Sequence, residues 1–219
     1  MAEIGIQNLN FNTMFLWHEE LINAITIVNN IMLEIKKPEK VNLPLSKFHI
    51  YDRETFMHSA NVSLLTILIA RKIGYQGKRL KEIAEGALLH DLGKLKVPKS
   101  ILNKPGRLTE EEYELVKKHP QHGMELIKPY SFPKAVQCPI IQHHERWTGS
   151  GYPLGLKAEE IHPNAQIVAV ADVLSALIAD RSYRQGLGAK RAIEIIIEGK
   201  EIDFSPVVVD QLLKVFILN

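Results

Sequence analysis

The chain predicts an all-α fold, a bundle of roughly eight to ten helices with an N-terminal helical extension. Three observations lead there. Apolar residues recur at spacings of three and four along most of the chain. Helix-capping residues punctuate those stretches. No segment sustains the period-2 alternation of a half-buried strand.

The elements follow in order. Phe11 to Ile35 carries apolar residues at Leu21, Ile25, Val28, Met32 and Ile35, the stripe of an amphipathic helix. Lys37 to Leu45 reads as a linker, because Pro38 and Pro44 interrupt it. Glu54 to Ile73 is a strong helix closed by Gly74. Arg79 to His90 is another, and Pro98 starts a short helical turn. Thr109 with Glu112 forms a capping box that opens a helix through Lys118. Pro139 to Trp147 is helical, with Pro139 either in its first turn or kinking a longer helix. Ala165 to Asp180 is nearly all apolar and therefore buried all round. Ala189 to Glu198 and Pro206 to Leu218 complete the set, the last capped by Ser205. The expected division is an N-terminal helix and linker over residues 1–45 and one main domain over residues 46–219.

Composition narrows the function. With 219 residues, 46% hydrophobic and 24% charged, the chain is an ordinary globular protein with one sizeable core. The net charge of +2 argues against a general binder of nucleic-acid polymers. Cys138 is the sole cysteine, which excludes an internal disulfide and a cysteine-rich zinc site. A reducing cytoplasm is the simplest home. The best membrane candidate, Leu21 to Leu33, is too short to span and contains Asn23, Asn29 and Asn30.

The chemistry concentrates in a few places. His143-His144-Glu145 precedes Gly149-Ser150-Gly151-Tyr152-Pro153. Adjacent imidazoles are rarely needed for packing, since each carries an acceptor nitrogen that burial leaves unsatisfied. Their natural use is metal binding. His90-Asp91 sits at the end of an apolar stretch, and Asp172 lies inside another, where a cation must compensate it. That cation is either a metal or an arginine, Arg181 or Arg184. His58 and Glu54 continue the stripe of Val62, Leu65, Ile69 and Ile73 backwards. They either face inward as ligands or fray into solvent. His119 alone reads as a surface residue at a helix end, and His122 competes with it. His18, His49 and His162 read as structural or surface residues.

Five histidines and three carboxylates on several segments exceed one tetrahedral zinc. Imidazole and carboxylate without thiolate suit iron or manganese, with zinc left open. Several such ions together suit phosphate-ester hydrolysis, because they activate water and neutralise charge on phosphoryl oxygens.

These motifs together resemble the HD-GYP subfamily of the HD superfamily of metal-dependent phosphohydrolases. The resemblance rests on His58, His90-Asp91-Leu92-Gly93-Lys94, Leu102 to Gly106, Lys118-His119-Pro120, His143-His144-Glu145, Gly149 to Pro153, Ala171-Asp172-Val173 and Arg181 to Arg184. It implies a cyclic di-GMP phosphodiesterase of bacterial signalling that forms pGpG, with GMP as a further product left open. It implies two or three divalent metals held by Glu54, His58, His90, Asp91, His119, His143, His144 and Asp172. Glu54 matches members with three metals, and Asp91 would bridge metals. Lys94 would meet the scissile phosphate, Arg181 and Arg184 would hold the nucleotide, and Tyr152 would shape the pocket or a partner surface. Two rivals stand beside this. One is a cyclic-dinucleotide receptor that docks a diguanylate cyclase or adaptor through Gly151-Tyr152-Pro153. The other is a phosphodiesterase for cyclic GMP-AMP or another nucleotide. The N-terminal helix suggests a homodimer or a reduced sensor. Two departures are visible: Ser175 stands where many members have an acidic residue, and Ser182 where they have proline.

Overall fold

The computed structural model describes residues 18–35, 53–179 and 185–216. Their helices are α1 (His18–Ile35), α2 (Arg53–Ile73), α3 (Gly77–Leu89), α4 (Lys99–Leu102), α5 (Glu110–Val116), α6 (His119–Ile127), α7 (Lys134–Gln142), α8 (Pro163–Ile178), α9 (Ala189–Glu198) and α10 (Pro206–Val215). Short 3-10 turns occupy Leu92–Lys96, Lys128–Tyr130 and Ala158–Glu160. Among the described residues there is no strand beyond the isolated bridge between Lys200 and Phe204. The all-α expectation therefore holds. None of the described helices is long and apolar enough to cross a membrane.

Local chemistry sets most boundaries. Gly74 ends α2 at φ +99, a left-handed conformation that glycine adopts without Cβ strain. Thr109 accepts from the Glu112 amide at 3.3 Å, and Glu112 accepts from the Thr109 amide at 2.8 Å, so the expected capping box starts α5. Ser205 stands at the N-cap of α10, but its side chain makes no capping hydrogen bond.

The core is built where α2 packs on α3 and α8, and α7 bridges α3 and α8. Its fully buried residues include Val62, Ile69, Ile83, Leu88, Ile140, Ile167, Val170 and Leu174. The 3-10 turn at Leu92–Lys96 packs on α6. That contact carries the end of α3 against the start of α6.

Several boundaries and one buried face differ from the sequence expectation. The helix expected from Pro139 to Trp147 is α7, which begins at Lys134 and stops at Gln142, with Pro139 inside it. Tertiary pairing stops it: the amides of Trp147 and Thr148 donate to Asp203 and Ile202 on the turn before α10. The helix from Thr109 ends at Val116, not Lys118, and α6 starts immediately at His119. The buried face of α1 is Ala24, Val28 and Ile31, while Ile25 is exposed. The stripe is thus rotated from the expected one, because α1 meets both α2 and α3. The last helix, expected through Leu218, ends at Val215, with Phe216 out of helical geometry. The linker from Lys37 to Leu45 and the 45/46 boundary lie outside the described residues.

Ile31→Ala should lower unfolding stability by about 2–4 kcal/mol, as expected for a large-to-small change in a filled core. Ile25→Ala should change it by less than about 0.5 kcal/mol, since its side chain is exposed. Urea unfolding followed by far-ultraviolet circular dichroism checks both, and equal effects would contradict the rotated face.

Candidate metal centre

A helix end leaves its last carbonyls without intrahelical partners. Three histidines donate to carbonyls in such last turns. His90 follows α3 and its Nδ1 lies 2.7 Å from the Ala87 carbonyl. His119 follows α5 and its Nδ1 lies 2.8 Å from the Val116 carbonyl. His143 follows α7 and its Nδ1 lies 2.9 Å from the Pro139 carbonyl. A carbonyl only accepts, so each Nδ1 carries the proton and donates. In the neutral ring, each Nε2 then keeps its lone pair for something else.

Those lone pairs converge. Nε2 of His119 and Nε2 of His143 stand 3.2 Å apart. Asp91 divides its two oxygens between neighbours. Oδ1 lies 3.3 Å from His119 Nε2, and Oδ2 lies 3.3 Å from His90 Nε2. His90 Nε2 and Asp91 Oδ1 are buried without a hydrogen-bond partner among the described residues. Asp172 Oδ1 lies 2.8 Å from His58 Nε2 and 3.8 Å from His90 Nε2. Ser175, one of the two departures noted in the sequence, places its hydroxyl 3.1 Å from His58 Nδ1. The result is three overlapping groups whose donor atoms lie within 4.8 Å of one another: His119 with His143 and His144, His58 with His90 and Asp172, and His90 with Asp91 and His143. Acceptors facing acceptors in a buried place call for cations. The donor set fits divalent metal ions.

Two glycines make the approach possible. A Cβ on Gly93 would stand 1.8 Å from the His119 carbonyl oxygen, so the turn after Asp91 touches the α6 backbone directly. A Cβ on Gly123 would stand 2.7 Å from Ile140 of α7. Neither position accepts a side chain without moving a ligand-bearing element.

The second histidine of the pair is held differently. Tyr152 stacks on His144 with ring centres 4.6 Å apart and planes 23° apart. The Tyr152 amide donates to the His144 carbonyl at 3.2 Å. Gly151 lies against the backbone of His144, Glu145 and Arg146, where a Cβ would come within 2.5 Å. Glu145 is buried, and its carboxylate accepts from the amides of Leu154 at 2.7 Å and Leu156 at 3.0 Å. The Tyr152–Pro153 peptide is cis.

Charge balance follows from burial and neighbours. Burial pushes His119 down to about 4 and His144 down to about 3, and it holds His143 well below its usual range. These rings stay neutral, as metal ligation requires. Burial also opposes the charged form of His90, yet Asp91 and Asp172 outweigh it and raise its pKa. The carboxylates thus draw a cation, here a proton, onto that ring. Burial likewise opposes the charged forms of Asp91 and Asp172. Lys94 and His90 overcome it at Asp91, and His58 and His90 overcome it at Asp172, so both carboxyls sit below their usual range. Lys94 Nζ reaches Asp91 Oδ2 at 2.6 Å.

Seven of the eight expected ligands therefore come together: His58, His90, Asp91, His119, His143, His144 and Asp172. Glu54 is exposed on the first turn of α2 and lies outside the three groups. His122 also lies outside them, with a buried Nδ1 that has no partner among the described residues. Arg181, Ser182 and Arg184 fall outside the described residues. The sequence assigned no role to Glu145, Gly93 or Gly123. Glu145 had a signal in its adjacency to two imidazoles and Gly93 in the motif that follows His90-Asp91, whereas Gly123 had none.

Comparison with known proteins agrees with this geometry. Residues 44–206 match the family model described as "HD domain". The chain belongs to the HD domain family. Its motifs resemble those of the HD-GYP branch. It is 37% identical over 177 residues to a cyclic di-GMP phosphodiesterase of Pseudomonas aeruginosa, covering 80% of this chain and 43% of that one. It is 33% identical over 191 residues to a 3'3'-cGAMP-specific phosphodiesterase of Vibrio cholerae, covering 84% and 36%. The fold is similar to that of an HDG"Y"P protein from Bdellovibrio bacteriovorus, with TM-score 0.62 and 24% identity, over 87% of this chain and 69% of that one. The HD domain chain thus spans less than half the length of these two curated relatives.

Depressed histidines make the metal-free protein acid-sensitive. Unfolded, these rings take up protons near 6.5; folded, His119 and His144 resist until about 4 and about 3. The unfolded state therefore binds more protons in that window, and stability falls as pH drops through it. His90 acts in the opposite sense, one ring against His119, His143 and His144. The melting temperature of metal-stripped protein should fall steadily from pH 7 to pH 4. A flat profile would show that these imidazoles are not buried and neutral.

Proposed function

We propose that the chain is the catalytic part of a phosphodiesterase that hydrolyses cyclic di-GMP to linear pGpG. The convergence of His90, Asp91, His119 and His143 on one buried place carries this reading, because a hydrolytic centre for phosphodiesters needs such a cation site. The cyclic di-GMP phosphodiesterases among its relatives support the substrate. The cGAMP-specific relatives make cyclic GMP-AMP the second substrate to assay.

When bound, divalent ions would supply an activated water and neutralise charge on the phosphoryl oxygens. Two ions suit the described donors. One would lie among His58, His90 and Asp172, the other among His119, His143 and His144, with one oxygen of Asp91 toward each. A set of imidazoles and carboxylates without thiolate favours iron or manganese. A third ion would need Glu54, whose exposure on the first turn of α2 leaves it to the rim.

The chain's own groups then divide the work. His90, His119 and His143 hold fixed tautomers through their helix-end carbonyls. Lys94, partly exposed beside the buried Asp91, has an ammonium that reaches the scissile phosphate and lowers its negative charge. Tyr152 walls the pocket beside His144. Arg181 and Arg184, assigned on the motif, hold phosphate or guanine through their planar forks.

Asp91→Asn should abolish turnover of cyclic di-GMP. Lys94→Ala should lower kcat by roughly one to two powers of ten, about 1.5–3 kcal/mol, while leaving metal content unchanged. Arg184→Ala should chiefly raise KM. Product chromatography and steady-state kinetics under anaerobic conditions, with metal content measured for each variant, read all three. Equal turnover by wild type and Asp91→Asn would overturn the assignment.

A further inference from the structure

Glu145 stands next to two metal-facing histidines yet points away from them. It is 1% exposed, and a buried carboxylate must be fully compensated. Its Oε1 accepts from the Leu154 amide and its Oε2 from the Leu156 amide. Both oxygens are thus committed to one loop, on the far side of Tyr152-Pro153.

That loop is closed at its near side too. The Tyr152 amide donates to the His144 carbonyl, and Gly151 lies flat on the backbone from His144 to Arg146. Tyr152 is therefore gripped at both ends. Its ring covers the His144 imidazole nearly parallel, at 4.6 Å. From the other direction, the Lys117 ammonium lies 5.4 Å from the Tyr152 ring centre. His143 differs: its own Nδ1 holds it on the Pro139 carbonyl. No hydrogen bond of that kind is described for His144. Its ring is set by packing instead: His143 and His119 flank it with centres 4.1 and 5.0 Å away, and Tyr152 is the aromatic ring from outside the ligand set that stacks on it.

We infer that Glu145 is a positioning residue for the metal centre. It tethers the loop from Gly151 to Leu156, the loop presses Tyr152 onto His144, and the stacked ring fixes where the His144 imidazole points. This rests on the reading of His119, His143 and His144 as ligands. It gives the Gly151-Tyr152-Pro153 segment a task inside the site, distinct from contact with substrate or partner.

Cobalt(II) provides the test, because its visible spectrum reports ligand number and geometry directly. Wild type, Glu145→Gln, Tyr152→Phe, Tyr152→Leu and His144→Ala are titrated with cobalt, and thermal unfolding is recorded for each. Glu145→Gln keeps volume but places an amide NH2 against one of the two backbone amides. Its cobalt spectrum should shift toward that of His144→Ala, with affinity at the weakest site reduced roughly tenfold or more, as for other supports of metal-bound histidine. Tyr152→Leu removes the stack without touching the tether and should give the same shift. Tyr152→Phe keeps the ring and should match wild type. Should Glu145→Gln fail to fold, Tyr152→Leu against Tyr152→Phe still decides the matter. Wild-type spectra and affinities in both Glu145→Gln and Tyr152→Leu, even with lowered melting temperature, would make Glu145 a merely structural residue and overturn the inference. Absence of cobalt binding by wild type would instead remove the metal centre itself, and the inference with it.

Discussion

Two imidazole lone pairs held 3.2 Å apart in a dry interior are the constraint on which this molecule turns. Left alone, His119 and His143 repel, and neither ring can rotate away without giving up its helix-end carbonyl. Asp91 adds an unpaired oxygen to the same place. The surrounding apolar core of α2, α3, α7 and α8 is what makes this tolerable, since it holds the backbone while the polar centre waits for a cation. The strain is local and electrostatic, and it disappears when positive charge arrives.

Asp91 is central for a second reason. It lies at the meeting point of two groups of ligands, one from α2, α3 and α8 and one from α6 and α7. One carboxylate therefore couples elements far apart in sequence. His58 and Asp172 are separated by more than a hundred positions and still meet at 2.8 Å. A site assembled this way exists only when the whole bundle is folded.

Much of this was legible in the sequence. The all-α fold, the extent of α9, the cap at Gly74 and the capping box at Thr109 follow from local rules that tertiary packing did not override. Asp172 was recognisable because a charge inside an apolar helix has few explanations. His119 was not recognisable alone: its lysine-rich approach looks like a solvated helix end, and only the break between α5 and α6 turns it inward. The end of α7 was hidden because no glycine or proline follows until Gly149; distant pairing with Ile202 and Asp203 sets it. The face of α1 was misjudged by one position, since apolar residues run nearly all round that helix and only contact with α2 and α3 chooses among them. The closeness of Gly93 to α6 lies beyond any local pattern.

The placement of three histidines after helix ends has a bearing on order of assembly. α3, α5 and α7 all bring their carboxyl-terminal ends, through His90, His119 and His143, to the same spot. Such ends carry partial negative charge. Together with Asp91 and Asp172 they make the centre favour cations over anions, with Lys94 the nearby counter-charge. A phosphodiester would be turned away from the bare protein and welcomed only once cations have reversed the local potential. On the proposed function, metal loading would then act as a checkpoint for substrate entry, written into the backbone and not only into the ligands.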